Sequence, residues 1–262
     1  MRLAGVADRL LPTTGLEPLH WSEAPPAVAV NLHGSGPQSH HVLEALRPWW
    51  LVAYAADGVA VCGPAWDADE HEVDRWCRLV AHAGWSADPT DLRLPTPPRP
   101  SPAPGAVVVH VGAAYPARRW PPERFAKVVR HLVDRGSDVV LTGSPDERLL
   151  AERTRQRAGR DAVCVLAGRT DLLELAAVVA AARLVVSGDT GMGHLATAFG
   201  RPSVLLFGPT PPARWGPPRD GPHTVLWHGE SPGDPFGPRP DPALLRITVD
   251  EVVSAAERQL SR

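Results

Sequence analysis

At 262 residues and 44% hydrophobic content, the chain is long enough for one large or two ordinary domains with a proper core. A formal net charge of −2 excludes the positive field that would gather nucleic acid or an acidic membrane surface. The three cysteines, Cys62, Cys77 and Cys164, are odd in number, scattered and in no C-x-x-C pair. This argues against a disulfide framework or a structural zinc site and fits a reducing cytoplasm.

No signal peptide is evident, because Asp8 and Arg9 interrupt the apolar start. The most apolar window, Leu172 to Val186, carries Glu174 and Arg183 and is too broken to span a bilayer. A soluble, cytoplasmic protein is expected. Met1 to Pro26 holds turn formers without a periodic segment. Ala27 to Leu32 reads as the first strand, followed by a polar turn and a helix from Ser39 to about Leu46. Trp50 to Ala55 is a second strand. Glu70 to Ala83 is an amphipathic helix with Val73, Trp76, Cys77 and Val80 on its apolar face. Leu94 to Gly105, LPTPPRPSPAPG, cannot form a helix or inner strand because its prolines lack N–H donors; it reads as a stiff connector.

After the connector, strands and helices alternate regularly. Strands are expected at Val107–Val111, Asp138–Thr142 and Ala162–Leu166, and helices at Pro122–Arg135, Pro145–Arg157 and Asp171–Ala182. A further strand covers Thr224 to Trp227, and a last helix, Val249 to Leu260, opens with a Thr248-x-x-Glu251 capping box. Such alternation implies a parallel, doubly wound sheet. Between them lies Leu184 to Gly208, LVVSGDTGMGHLATAFGRPSVLLFG: a buried strand, a Gly-Asp-Thr-Gly turn, a short helix, and a second buried strand from Ser203 to Phe207. A helix that begins where a strand of an open parallel sheet ends offers unpaired amides and a partial positive charge. Asp189, Thr190 and His194 put a carboxylate, a hydroxyl and an imidazole at that mouth. The plainer alternative is a tight turn with a capped helix.

In such a sheet the turns after successive strands converge on one edge. HVGAAYPARRWPPERF (His110 to Phe125), LTGSPDE (Leu141 to Glu147) and the run from Leu166 to Pro217 stand there in order. This ordered set closely resembles the family 9 glycosyltransferases, the group that includes ADP-heptose:lipopolysaccharide heptosyltransferases. The resemblance covers the chain from about Ala27 onward and is strongest after the connector. It implies an α/β fold of the GT-B type, in which two Rossmann-like doubly wound domains face across a cleft. Here these would be an acceptor-side domain at 1–94, a linker at 95–105 and a nucleotide-sugar-binding domain at 106–262. It further implies transfer of a heptose-like sugar from an ADP-linked nucleotide-sugar donor, inversion at the sugar, a glycan or small-molecule acceptor, and no essential metal or other cofactor. Lipopolysaccharide is the family's best-known acceptor, and peripheral contact with the inner membrane face is compatible with it.

The resemblance places donor binding on Gly112, Arg118, Glu147, Thr170, Asp189, Thr190, Gly191, Met192 and His194. Read from the residues alone, each keeps an alternative. Arg118 stands at a phosphate-contacting position, yet as one of two adjacent arginines it could be a solvated charge. Glu147 falls where the family contacts the nucleoside, yet Ser144-Pro145-Asp146-Glu147 is also a capping box with proline at the first helical position. Thr170 and Met192 match nucleotide-contacting positions or are turn and packing residues. Gly112 would let the backbone approach the phosphates closely. Expelling a nucleoside diphosphate builds negative charge on phosphate, and each preorganised donor there is worth about 2.7–4 kcal/mol. Arg118 and the helix amides can supply such donors without a metal.

Family members open on a strand and a glycine-rich turn whose acidic residue is the expected general base, and this chain shows no such segment. The N-terminal domain is therefore expected to be incomplete, with the family's catalytic base absent. The alternative function is a remnant that binds donor without transfer. His33, His40 or His41 could stand in as the base. Asp67-Ala68-Asp69 is a D-x-D like that of metal-dependent transferases, but its place before a helix explains acidic residues equally well. Trp76 and Trp120, among the nine tryptophans, are expected in packing roles. A dinucleotide oxidoreductase is disfavoured because HVGAAYPARR is not G-x-G-x-x-G.

Overall fold

The computed structural model describes residues 7–262. Most of the turn-rich start, Met1 to Pro26, is described as irregular backbone, and Met1 to Val6 lie outside the described residues. The chain divides into two compact units, Met1–Asp91 and Leu92–Arg262.

The first unit contains β1 (Val28–Val30), α1 (Gln38–Glu44), β2 (Trp50–Val52) and α2 (Glu72–His82). β1 and β2 pair in parallel, Val28 opposite Trp50 and Val30 opposite Val52. The apolar core is small: Val52, Tyr54 and Leu79, with Trp66 and Ala83 against them. Much of the unit's order comes from polar groups instead. His40 is fully buried, its Nδ1 taking an N–H from Asn31 at 3.0 Å and its Nε2 donating to the Tyr54 carbonyl at 2.8 Å. The loop between β1 and α1 closes through the Ser39 hydroxyl, which donates to the His33 carbonyl at 2.8 Å.

α2 differs from expectation in the face it buries. Its buried residues are Glu72, Arg75 and Leu79, while Trp76 remains 37% exposed. The reason is an ion pair: Arg75 binds Glu72, lies 4.1 Å over the Trp66 ring, and donates to the carbonyls of Asp67 and Glu70. These contacts turn the Glu72–Arg75 edge inward, and the indole of Trp76 is left to interact with Glu72 at the surface. Burial pushes the Glu72 carboxyl up despite that arginine.

The second unit is a six-stranded parallel sheet. In chain order it comprises β3 (Val107–His110), α3 (Pro122–Asp134), β4 (Val139–Thr142), α4 (Arg148–Ala158), β5 (Cys164–Val165), α5 (Leu172–Ala180), β6 (Leu184–Gly188), α6 (Gly191–Ala198), β7 (Ser203–Leu206), α7 (Pro212–Trp215), β8 (His223–Leu226), α8 (Pro242–Arg246) and α9 (Val249–Leu260). The spatial order is β5-β4-β3-β6-β7-β8. The chain thus winds outward from β3 to β5, then returns to lay β6 on the other side of β3. That reversal opens a crevice between β3 and β6 at their carboxyl ends.

Alternation along the strands sorts two apolar layers. Val107, Val109, Leu141, Leu184, Val186 and Val204 face α3, α4 and α9. Val108, Val140 and Val185 face α5 and α6. Capping boxes start α5 at Asp171/Glu174 and α9 at Thr248/Glu251. α4 starts later than the Ser-Pro-Asp-Glu run suggests. Glu147 reaches back to the Ser144 N–H at 2.8 Å, but the serine hydroxyl does not cap, so Pro145 to Glu147 form a turn before the helix. The proline-rich segment runs along the second unit: Leu94 donates to the Ala198 carbonyl at 3.1 Å, Arg99 pairs with Asp171 at 2.9 Å, and Gly105 donates to the Ala181 carbonyl at 2.9 Å.

Candidate donor site

β3 and β6 run in register, His110 beside Ser187, so both release their chains at the crevice. After β6 the backbone turns through Asp189 and enters α6 at Thr190, an extended N-cap residue whose hydroxyl accepts from Met192 N–H at 3.3 Å. Ser187 Oγ lies 2.9 Å from that hydroxyl and fixes it from behind. The helix therefore presents its first turn, with its amides and partial positive charge, at the open edge of the sheet.

Arg118 comes from the turn after β3, closing a short 3₁₀ segment, Pro116–Arg118. Its guanidinium crosses the crevice, Nη2 donating to the Asp189 carbonyl and standing 3.4 Å from Asp189 Oδ2. Arg118 is about a quarter exposed (26%) and Asp189 a tenth (10%), so this is no solvated surface charge. The Nε of Arg118 is buried with no hydrogen-bond partner, which leaves one donor of the fork unsatisfied inside the site. Burial pushes the Asp189 carboxyl above its ordinary value, against the opposing pull of Arg118 and His194. His194 lies one turn into α6 with its ring 5.9 Å from that of Trp215.

A second cluster sits one strand away. The carboxylate of Glu147 lies over Gly112, where an added Cβ would come within 2.0 Å of its Cδ. The protein's own carboxylate thus occupies the space where a side chain at Gly112 would stand. Close by, His110 is part-buried at the end of β3, with Nδ1 3.1 Å from the Thr142 hydroxyl. Burial drives its imidazole pKa down, and Glu147 partly restores it.

The structure therefore brings Arg118, Asp189, Thr190, Gly191 and His194 together, and Gly112 with Glu147 beside them. Thr170 stands apart, half-buried in the turn after the edge strand β5. The turns after β4 and β5 touch: Gly168, at φ +68°, would bring a Cβ within 2.8 Å of Pro145 Cα. The side chain of Met192 is 3% exposed and packs in the layer between the sheet and α6, so only its backbone lies at the mouth. Sequence reasoning missed His110 and Trp215. Trp215 stood inside the stretch that carried the resemblance, but tryptophan alone does not separate a packing role from a site wall.

Most of the groups weighed in the first unit are engaged elsewhere. His40 is enclosed, His41 pairs with Glu44 at 2.9 Å, and His33 is exposed. In the acidic run, Asp67 accepts the Asp69 N–H at 2.9 Å and Glu70 pairs with Arg78 at 2.6 Å. Among the described residues no group of three or more His, Cys, Asp or Glu could hold a metal ion. Among the same residues no helix is long and apolar enough to cross a membrane.

The family model "Glycosyltransferase family 9 (heptosyltransferase)" matches residues 64–233, well over half of the chain. The chain belongs to glycosyltransferase family 9. Curated relatives include lipooligosaccharide heptosyltransferase 2 of Haemophilus ducreyi, 37% identical over 103 residues, which are 37% of this chain and 30% of that protein. Lipopolysaccharide heptosyltransferase 2 of Escherichia coli K12 is 39% identical over 104 residues, 37% of this chain and 29% of that protein. The chain thus matches less than a third of the length of these family 9 relatives. Among solved structures, the E. coli ADP-heptose LPS heptosyltransferase II superposes with a TM-score of 0.63 at 22% identity, covering 90% of this chain and 70% of the other. The family 9 glycosyl transferase of Veillonella parvula gives 0.52 at 26% identity, covering 60% and 46%. The fold is therefore α/β of the GT-B type, and the strand order of the second unit is that of its Rossmann-like half.

Proposed function

We propose that this family 9 chain holds a nucleotide-sugar donor, ADP-linked, in the crevice between β3 and β6, and that the complete reaction transfers a heptose-like sugar to an acceptor hydroxyl with inversion. The observation that carries this reading is Arg118 bridged onto Asp189 at the amino end of α6. A diphosphate leaving group needs positive charge fixed in place before it departs, and a half-buried guanidinium plus the first-turn amides of a helix supply it without a divalent ion. Glu147, an acceptor of hydroxyl protons, and Thr170 lie progressively toward β5. From β6 to β5 is three strand spacings, about 14 Å, which suits an extended nucleoside diphosphate. In this reading the diphosphate meets Arg118, Thr190, Gly191, His194 and the Met192 amide, the nucleoside meets Gly112, Glu147 and Thr170, and Asp189 orients Arg118.

The domain reading goes with it. The second unit carries the donor, and the first, whose sheet and polar turn carry His33, serves the acceptor, a glycan such as lipopolysaccharide reached at the inner membrane face. The name of one relative's solved complex, the E. coli heptosyltransferase WaaC with ADP, supports the choice of nucleotide. Calorimetric titration with ADP, ADP-heptose and NAD, each with and without chelator, tests the proposal. ADP and ADP-heptose are expected to bind, unaffected by chelator. Preference for NAD overturns the donor reading, and chelator-sensitive binding overturns metal independence. Binding without transfer establishes the alternative, a donor-binding chain that does not turn over.

A further inference from the structure

Beside Arg118 and Asp189, on the β7 side of α6, the second unit has a narrow recess of about 10 Å³, lined by Gly188, Asp189, Thr190, His194, Thr197 and Trp215. That is room for about one water, far below the roughly 300–1,000 Å³ of an enclosed small-molecule site, so a ligand would lie across its mouth and against its rim. One wall is the indole of Trp215, 36% exposed and tilted 56° to the His194 ring. The indole is held by a stiff element. α7 has Pro211 before it and Pro212 at its first position, and Gly216 folds back onto the Pro212 carbonyl at 2.7 Å. A Cβ on Gly216 would lie 2.5 Å from that oxygen, so the turn closes only with glycine there.

Topology gives the recess a direction. β3 and β4, with Gly112 and Glu147, lie on one side of β6, and β7, which leads into α7, lies on the other. With the diphosphate at α6 and the nucleoside toward Glu147, the second substituent of the diphosphate falls on the β7 side. We infer that Trp215 determines specificity for the donor's sugar, whose C–H face packs on the indole. The inference rests on the donor reading above and adds the residue that recognises the transferred group. The negative face of an aromatic ring favours the weakly positive C–H edge of a sugar over bare phosphate. A diphosphate without sugar should accordingly be indifferent to the indole.

The test is calorimetric titration of the full chain and its Trp215→Leu and Trp215→Phe variants with ADP, ADP-heptose and ADP-glucose. Leucine removes the π-face but keeps apolar bulk, and phenylalanine keeps a ring. For Trp215→Leu, ADP affinity is expected to stay within about twofold while binding of the better ADP-sugar weakens about tenfold, and Trp215→Phe should recover most of that loss. Equal losses for ADP and ADP-sugar, no loss for either, or a wild-type chain that binds ADP-sugars no better than ADP each overturn the role of Trp215 and leave the donor reading standing. Failure of the wild-type chain to bind ADP at all overturns the donor reading and the inference together.

Discussion

Replacing Arg118 by alanine probes the site most directly, because the one side chain has two separable jobs. Structurally it is the cation nearest a buried carboxylate, 3.4 Å from Asp189 Oδ2. Removing one partner of a fully buried pair costs about 3–5 kcal/mol, and quarter exposure of the arginine together with the long contact reduce this to about 1.5–2.5 kcal/mol. Part of that is recovered because Asp189, whose carboxyl already titrates high, can take up a proton. In binding, the lost charge-assisted contact to phosphate is worth about 1.5–3 kcal/mol, so ADP should bind roughly 10- to 150-fold more weakly. Urea unfolding reads the first number and calorimetry with ADP the second. Arg118→Lys keeps the charge but not the fork and should fall between the two. If Arg118→Ala lowers the urea midpoint while ADP affinity stays within about twofold, the residue is a strut and the phosphate assignment is wrong.

Three further outcomes follow from particular contacts. Gly112→Ala forces Glu147 off its perch and breaks the exposed 2.8 Å bond from Ser144 N–H; the cost should be about 0.5–1.5 kcal/mol in urea unfolding, and the His110 imidazole, deprived of Glu147, should titrate lower still by NMR. Asp189 holds its proton more tightly folded than unfolded, so its contribution to stability falls as pH rises from the ordinary carboxyl value of 3.8 through the higher folded one; Asp189→Asn should flatten the stability profile over that window, and an unchanged slope would contradict the burial. His40→Leu strands the Asn31 amide and the Tyr54 carbonyl at about 1–3 kcal/mol each, whereas His33→Ala, on an exposed side chain, should change stability by no more than about 0.5 kcal/mol; if His33 serves as the base, the same change abolishes sugar transfer.

The second unit was readable in the sequence because its elements obey one period at a time. α3 has proline at its first position and Phe125, Val128, Val129 and Leu132 on one face, and the fold buries those four. β6 and β7 carry apolar runs, Leu184–Val186 and Val204–Leu206, as strands covered on both faces do. β5 shrank from the expected Ala162–Leu166 to Cys164–Val165 because, at the sheet edge, it pairs with β4 alone. α7 and α8, of four and five residues, are too short for a periodic signal. The inner face of α2 was misread because an ion pair outcompeted an apolar stripe, and sequence periodicity does not see partners such as Trp66. In the site, the residue types at the crevice were legible from the Gly-Asp-Thr-Gly turn. The bridge from Arg118 to Asp189 joins residues 71 positions apart and exists only once β3 and β6 are neighbours.

The perch of Glu147 on Gly112 sets a filter at the mouth of β3. In dinucleotide-binding folds the first strand-to-helix turn is where backbone amides cradle a pyrophosphate. Here the protein has parked an anion of its own on that turn, so a second polyanion arriving there meets repulsion instead of a cradle. In the proposed donor reading phosphate lies at α6, and a cofactor whose pyrophosphate had to lie against the opening turn would meet the Glu147 carboxylate first.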